Sequence, residues 1–172
     1  LGMVLLQLRE FSEAQEHLER GLSICREIGN RRFEANALGN QGLLLWHLGR
    51  QKEALAHHQR QLAIAREIGD RHGEAVALGN LGSVFLHLGS YEEARVHYEG
   101  QLAIAREIGY RQGEAKATGN LGATVMSLGR PEEGRVLTER SLAIAREIGD
   151  VRGEAAALGN LGGTFFGIGR YR

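Results

Sequence analysis

The sequence repeats with a period of 40 residues. The eight residues LAIAREIG begin at residues 62, 102 and 142, and the close copy LSICREIG begins at residue 22. A second block keeps the same spacing, and it reads LGNQG at residue 38, LGNLG at residues 78 and 158, and TGNLG at residue 118. A fixed period of this length is typical of arrays of supersecondary units, in which each unit buries its apolar face against its neighbours. Function is therefore expected on a surface that recurs from unit to unit.

Each period is predicted to contain two helices. The second helix of a repeat carries one stripe of apolar or small residues, for example Ala94, Tyr98 and Leu102. A glycine follows this helix in every repeat and predicts a left-handed C-terminal residue, at Gly29, Gly69, Gly109 and Gly149. No alternation of apolar and polar residues predicts a strand. The predicted helices span 1–8, 11–28, 31–48, 51–68, 71–88, 91–108, 111–128, 131–148 and 151–168.

Helix starts are signalled as well as helix ends. Ser90 and Glu93 have the spacing of a capping box, and Pro131 suits a first-turn position. Three polar residues are placed to cap first helices: Asn30, Asp70 and Asp150. The predicted connections between helices are two or three residues long. Connections this short force neighbouring helices to pack antiparallel. We therefore expect an all-α, curved solenoid of antiparallel helix hairpins, about four repeats in one domain over 1–172, cut from a longer protein.

Composition excludes several functional classes. The 172 residues hold 21 basic and 21 acidic side chains, so no net charge attracts nucleic acid or an anionic membrane. No spanning helix or signal peptide is visible, which favours a cytoplasmic protein. Cys25 is the single cysteine, and its counterparts in the other repeats are alanines, so we expect a small buried residue.

The repeat resembles the tetratricopeptide repeat. Leu81-Gly82, Phe85, Leu88-Gly89, Tyr91 and Ala94 follow the order and spacing of that signature. The 40-residue period is similar to the long variant of Pins-type polarity adaptors, kinesin light chains and bacterial signalling proteins. The pattern is broken where His58 or Thr138 replaces a bulky residue and where Gly134 replaces an alanine. The resemblance covers nearly the whole chain. It implies an all-α, right-handed superhelical solenoid of helix hairpins that serves as a protein-interaction scaffold.

The resemblance also implies that first helices line a concave groove for an extended or helical partner segment. Two series of residues recur on the face that the family pattern turns toward the groove. The asparagine ladder consists of Asn40, Asn80, Asn120 and Asn160, and the apolar series consists of Trp46, Leu86, Met126 and Phe166. Carboxamides suit pairing with a bound main chain, and large apolar groups carry affinity. His47 and His87 lie beside the apolar series and complete the candidate peptide-binding site.

Structural roles compete with each of these assignments. The asparagines could tie adjacent helices together by bonding turn carbonyls, and the apolar series could bury against neighbouring helices. The glycines beside the ladder, at 39, 79, 119 and 159, suit close helix packing as well as close approach of a ligand. Arginines also recur near the starts of first helices, at Arg71, Arg111 and Arg152. They are expected either to be solvated or to meet acidic groups of a partner.

No catalytic or metal-binding constellation is expected. His17, His57 and His97 recur every 40 residues, but equivalent residues of stacked hairpins lie about 10 Å apart or more, whereas zinc ligands lie about 2 Å from the ion. These histidines are predicted to be solvated surface residues. No metalloprotease, phosphate-loop or nucleophile-elbow motif is present, so we expect neither an enzyme nor a cofactor.

An architectural role remains as the alternative to partner binding. The predicted helices 1–8 and 151–168 each lack a neighbour, and solenoids normally need polar caps at their ends. End-to-end association into a homo-oligomer is therefore expected, with Leu5, Phe165 and Ile168 near the contacts.

Overall fold

Eight helices occur in the part of the chain that the structure describes. A computed structural model describes the backbone of residues 2–167 and the side chains of residues 11–163. The helices are α1 (Gly2–Glu27), α2 (Arg31–His47), α3 (Gln51–Glu67), α4 (Arg71–His87), α5 (Tyr91–Glu107), α6 (Arg111–Ser127), α7 (Pro131–Glu147) and α8 (Val151–Gly167). No strand occurs between residues 2 and 167, and consecutive helices pair as hairpins. The predicted all-α class is therefore confirmed.

One predicted boundary is wrong. The segments 1–8 and 11–28 were expected to be separate helices, but α1 runs without a break from Gly2 to Glu27. The other first helices end at Gly49, Gly89 and Gly129, each with a positive φ between 73° and 79°. Arg9 occupies the equivalent position near the start of the chain. A residue with a side chain enters the left-handed region only at a cost, so the helix continues through it.

The other turn predictions divide into confirmed and wrong ones. Gly29, Gly69, Gly109 and Gly149 have φ angles from 66° to 68°, as expected of helix-ending glycines. The Asn30 Oδ1 accepts a hydrogen bond from the Phe33 amide at 3.2 Å, and Asp70 and Asp150 cap their helices in the same way. Pro131 begins α7 as predicted. Ser90 precedes α5, but its hydroxyl accepts no capping bond, so the capping box is wrong.

The chain divides into two compact units, residues 1–80 and residues 81–172. In the first unit, α2 packs against both α1 and α3, around a cluster of Leu22, Ala35, Leu38 and Ile64. In the second unit, α6 packs against α5 and α7, and α7 packs against α8. The core cluster there consists of Ala94, Tyr98, Leu102, Ala117, Leu121 and Val125. The predicted inward stripe of α5 is therefore confirmed.

A glycine on the first helix faces one side chain of the second helix in each hairpin. A Cβ atom at Gly42 would lie 2.5 Å from the His58 ring, and one at Gly82 would lie 2.7 Å from the Tyr98 ring. At Gly122 it would lie 2.6 Å from the Thr138 hydroxyl. His58 is fully buried, and burial lowers its pKa although the hydrogen bond between its Nδ1 and the accepting Gln61 Oε1 opposes the shift. The departures from the family pattern at 58 and 138 are thus accommodated in the core.

Cys25 departs from its prediction. It is half-buried, whereas its counterparts Ala65, Ala105 and Ala145 are at most 1% exposed. The reason is that α1 is a second-type helix against which no first-type helix of its own hairpin packs among the described residues. None of the described helices combines the length and apolar character needed to cross a membrane.

Candidate functional site

An open cleft of about 490 Å³ lies between α6 and α8 in the second unit. Its lining residues are Tyr110, Gln112, Ala115, Lys116, Gly119, Asn120, Ser141, Asp150, Arg152, Gly153, Ala156, Ala157 and Asn160. The fold brings Asn120 and Asn160 together here, because α6 and α8 are consecutive first helices in direct contact. Two members of the asparagine ladder therefore share one cavity.

The base of the cleft is made of small residues that hairpin packing requires. A Cβ atom at Gly119 would lie 2.9 Å from the Ser141 hydroxyl, which donates a 2.7 Å hydrogen bond to the Ala115 carbonyl. At the equivalent place in the first unit, a Cβ atom at Gly39 would lie 2.6 Å from the Gln61 carboxamide. Close packing of the hairpin thus accounts for both Gly39 and Gly119.

Basic groups outnumber acidic ones around the cleft. Lys116 is exposed and forms no ion pair with any described residue. Asp150 accepts hydrogen bonds from the Gly153 amide at 3.0 Å and from the Gln112 carboxamide at 3.4 Å. The Gly153 bond, the Gln112 bond and the charge of Arg152 keep the pKa of Asp150 below its ordinary value. With this acid already bonded, Lys116 and Arg152 favour a negatively charged group in the cleft.

Two of the four ladder carboxamides, those of Asn40 and Asn120, make no bond between helices of the kind that the structural alternative requires. Asn120 is half-buried, and its main-chain carbonyl accepts a 2.8 Å bond from the Thr124 hydroxyl. Its side chain and that of the exposed Asn40 make no hydrogen bond to a described residue. Asn80 and Asn160 are half-buried. The carboxamide of Asn120 therefore faces the cleft with its hydrogen-bonding capacity available.

The apolar series is only partly exposed. Leu86 is half-buried and packs against the core cluster of the second unit. Met126 is half-buried over Gly134, where an added Cβ would lie 2.2 Å from the Met126 Cγ. Trp46 is half-buried and meets the exposed His47 edge to face at 4.8 Å. The buried part of Leu86 and of Met126 therefore serves hairpin packing, and only the remainder is open to a ligand.

Two further predicted site residues are placed differently. His87 is exposed, and its Nδ1 lies 2.8 Å from the Ser83 carbonyl within α4. The Phe166 side chain lies outside the described residues, as do those of Leu5 and Phe165 and the whole of Ile168.

A recurring group of buried glutamates was missed. Glu34, Glu74 and Glu114 are at most 7% exposed. Each accepts a hydrogen bond from an arginine eight residues earlier at 2.8 to 3.1 Å and another from an arginine three residues earlier. Arg111 also bonds Glu147 of α7. Arg71 and Arg111 were expected to be solvated or to meet acidic groups of a partner, but both bond buried glutamates of their own chain. The signal was present as an arginine and a glutamate eight residues apart in every period.

Histidine and glutamine side chains produce a small polar pocket in the first unit. Gln41 occupies a position that is leucine in the other repeats. Its Oε1 and the Nδ1 of His57 are buried without a protein partner beside a space of about 130 Å³. The Nδ1 of His57 is enclosed, so its prediction as a solvated residue is wrong. His97 is half-buried and His17 is exposed. No three histidine, cysteine or acidic side chains converge as a metal site within the described residues.

The sequence matches the family model of the tetratricopeptide repeat over residues 1–67, 33–107 and 73–133. The chain belongs to the tetratricopeptide-repeat family. The hairpins described above, with a glycine of each first helix packed on the second, are the form that this family takes here. No curated protein sequence is significantly similar to the chain.

Several solved tetratricopeptide-type structures share the fold. BtubC from P. vanneervenii superposes with a TM-score of 0.83 at 21% identity, covering 95% of this chain and 68% of its own. A Rap protein in complex with competence and sporulation factor superposes with a TM-score of 0.83 at 18% identity, covering 99% of this chain and 48% of its own. A signal-transduction ATPase with a tetratricopeptide-repeat sensor from Pyrococcus horikoshii superposes with a TM-score of 0.80 at 21% identity. The match covers 93% of this chain and 25% of the ATPase. The repeat array thus spans a quarter to two thirds of these proteins, and the likeness is one of fold.

Proposed function

We propose that this tetratricopeptide-repeat protein is a scaffold that captures a segment of a partner protein, and that the cleft between α6 and α8 is a principal contact site. The observation that supports the proposal is that Asn120 and Asn160 line one open cavity together with Lys116 and Arg152. Carboxamides can pair with a main chain, and the two cations suit an acidic side chain or terminal carboxylate. The bound segment is therefore acidic where it enters this cleft.

Exposed ladder residues of the first unit extend the same proposal. Asn40 and His47 are exposed on α2, and Trp46 is half-buried beside them. A similar fold, the Rap protein, is found in complex with competence and sporulation factor, which agrees with capture of another factor by such an array. We place the protein in the cytoplasm, where a free thiol such as Cys25 remains reduced.

The experiment compares capture by the wild-type chain and by Asn120→Ala/Asn160→Ala. Each lost hydrogen bond contributes roughly 0.5–1.5 kcal/mol, so the affinity for the captured segment should fall about tenfold or more. Partners are identified by pull-down and mass spectrometry, and the affinity of each is then measured by titration with the purified segment. Lys116→Ala should also weaken binding, more at low than at high salt, because the charge contribution is screened.

The matched control is Gln51→Ala/Gln59→Ala, which removes two carboxamides from the second-type helix α3. It should bind like the wild type. If the folded Asn120→Ala/Asn160→Ala variant retained every partner at unchanged affinity, the cleft would not be the binding site.

A further inference from the structure

The small polar pocket of the first unit is bounded by three helices. It takes Gln15 and Glu19 from α1, Gln41 from α2 and His57 from α3. Gln15 and Glu19 lie on the same helical stripe of α1 as Leu22, which clusters with apolar residues of α2. This stripe is the side of α1 that faces α2. The pocket therefore belongs to the packed interior of the first unit and does not arise from the ends of the chain.

Two enclosed atoms of this pocket have no hydrogen-bond partner among the described residues. They are the Oε1 of Gln41, a residue that is only 6% exposed, and the Nδ1 of His57. Leaving a buried polar atom unsatisfied is costly, and native proteins nearly always supply a partner from the chain or from ordered water. The two atoms therefore call for a ligand that can form hydrogen bonds inside the pocket.

Gln41 and His57 form a polar pair where another hairpin of the same chain has an apolar pair. Their counterparts in α6 and α7 are Leu121 and Leu137. Leu121 is buried in the core cluster of the second unit, and Leu137 packs against that cluster. The fold thus accepts hydrocarbon at both positions, and the hairpin of α2 and α3 carries polar groups at both. The polar character of the pocket is specific to this hairpin.

The enclosed nitrogen of His57 is not a general property of histidine at this position. His97 of α5 is its counterpart, but the Nδ1 of His97 lies 2.7 Å from the Glu93 carbonyl of its own helix. The residue at the Gln41 position is then a leucine, Leu81. A histidine beside a leucine thus bonds its own helix, whereas His57 places its Nδ1 in the pocket that it shares with Gln41.

We propose that water molecules held between Gln41 and His57 are a structural part of the hairpin of α2 and α3. The Oε1 of Gln41 can only accept a hydrogen bond, while the Nδ1 of His57 accepts or donates according to the tautomer of its ring. Water can fill both roles. The space of about 130 Å³ accommodates more than one water molecule, since each occupies about 30 Å³ in the liquid.

The charges around the pocket favour a neutral ligand over a cation. Arg50 donates two hydrogen bonds of 2.6 Å to the Glu53 carboxylate. Glu19 accepts a 2.7 Å hydrogen bond from the Gln15 carboxamide and also interacts electrostatically with Arg50. Both carboxylates are therefore compensated by groups of the protein itself. The unsatisfied atoms are the two uncharged ones, and their natural ligand is water.

The first test locates the water in the wild-type chain. Nuclear Overhauser cross-peaks with the water signal should appear at the Gln41 carboxamide and at the His57 ring. The side chains of His17 and Gln59 are exposed and serve as internal controls, because surface water exchanges too fast to give such cross-peaks. A wild type without cross-peaks at either pocket residue would overturn the proposal, and this measurement requires no variant to fold.

The second test removes the site with Gln41→Leu/His57→Leu, which copies the apolar pair of α6 and α7. Magnetic relaxation dispersion of the water signal should show a contribution from long-lived internal water in the wild type and its loss in this variant. The control His17→Ala/Gln59→Ala removes the same residue types from exposed positions and should retain the contribution. Circular dichroism should show equal helicity for all three proteins.

Two outcomes of the second test would contradict the proposal. A folded Gln41→Leu/His57→Leu variant that kept the full contribution of long-lived water would place that water elsewhere. Replacing potassium chloride by ammonium chloride should leave the unfolding temperature of the wild type unchanged. A rise in the wild type that is absent from the variant would mean that a cation, not water, occupies the pocket.

Discussion

At the scale of single residues, the buried glutamates show how a charge is tolerated inside a helical array. Burial raises the pKa of Glu114, but hydrogen bonds from Arg106 and Arg111 outweigh it, and the pKa lies below its ordinary value. Burial also raises the pKa of Glu34, and hydrogen bonds from Arg26 and Arg31 again bring it below its ordinary value. Each glutamate joins the end of one second helix to the start of the next first helix. The ionised form is therefore part of the folded structure.

We expect Glu114→Gln to lower the free energy of unfolding by about 1.5–3 kcal/mol, the range for hydrogen bonds that involve a charged group. A folded-state pKa below the unfolded value stabilises the protein above the unfolded value of about 4.3, and this contribution is lost as the pH falls through the folded-state pKa. Wild-type stability should thus fall at acidic pH, and the variant should show a smaller fall. Urea unfolding at several pH values measures both effects.

Glu139→Gln is the control for this prediction. Glu139 pairs with Arg135 one turn earlier on the exposed side of α7, and such pairs contribute less than about 1 kcal/mol. Equal losses in the two variants would mean that the buried bonds of Glu114 add nothing beyond a surface ion pair.

At the scale of the helical element, the hairpin of α6 and α7 shows how a smaller side chain is compensated. Thr138 occupies the position of Tyr98, and its hydroxyl donates a 2.8 Å bond to the Gly134 carbonyl. A Cβ atom at Gly134 would lie 2.7 Å from the Gly122 carbonyl oxygen, so the two backbones meet where Ala94 stands in α5. The glycine allows the helices to approach and fill the space that a tyrosine ring would have taken.

Gly134→Ala should therefore destabilise the protein, although alanine is the better helix former by about 1 kcal/mol. Overpacking against a backbone oxygen typically costs about 1–3 kcal/mol, and this exceeds the gain in propensity. Gly163→Ala in α8 should stabilise instead, because nothing lies within 4 Å of its added Cβ. Thermal unfolding of the two variants decides the matter. A gain in stability at both positions would mean that α6 and α7 are not in close backbone contact.

At the scale of the whole molecule, stability is expected to be a sum of contacts between neighbouring helices. Within the second unit, α6 is covered by α5, α7 and α8, while α8 is covered by α6 and α7 and has its hairpin face open. Local opening is easiest where few buried contacts must break. The two helices therefore differ in the number of neighbours that hold them closed.

Amide hydrogen exchange should reflect this difference. Peptides from 151–163 should exchange about tenfold faster or more than peptides from 111–127 in dilute protein. Equal rates in both segments would contradict the assignment of α8 as the less supported helix.

The sequence was sufficient to predict the helices and their order. The 40-residue period, the apolar stripes and the glycines with positive φ are local signals, and local backbone preference together with a repeated pattern specifies hairpins of this type. The same logic explains the one wrong boundary, since Arg9 interrupts the glycine pattern and the helix continues. The asparagine ladder was also visible as a periodic set, although its surroundings were not.

Tertiary structure alone decided which of these residues share an environment. That Asn120 and Asn160 line one cleft with Lys116 and Arg152 depends on the contact of α6 with α8. Glu114 is buried between two arginines, whereas Ile24 and Leu158 are exposed although their counterparts are buried. Both observations depend on which helix covers which face. Burial and pairing are properties of several helices packed together, whereas a periodic sequence assigns equivalent residues the same role in every repeat. The end helices differ from the inner ones because they have fewer neighbours, and a residue type does not encode its number of neighbours.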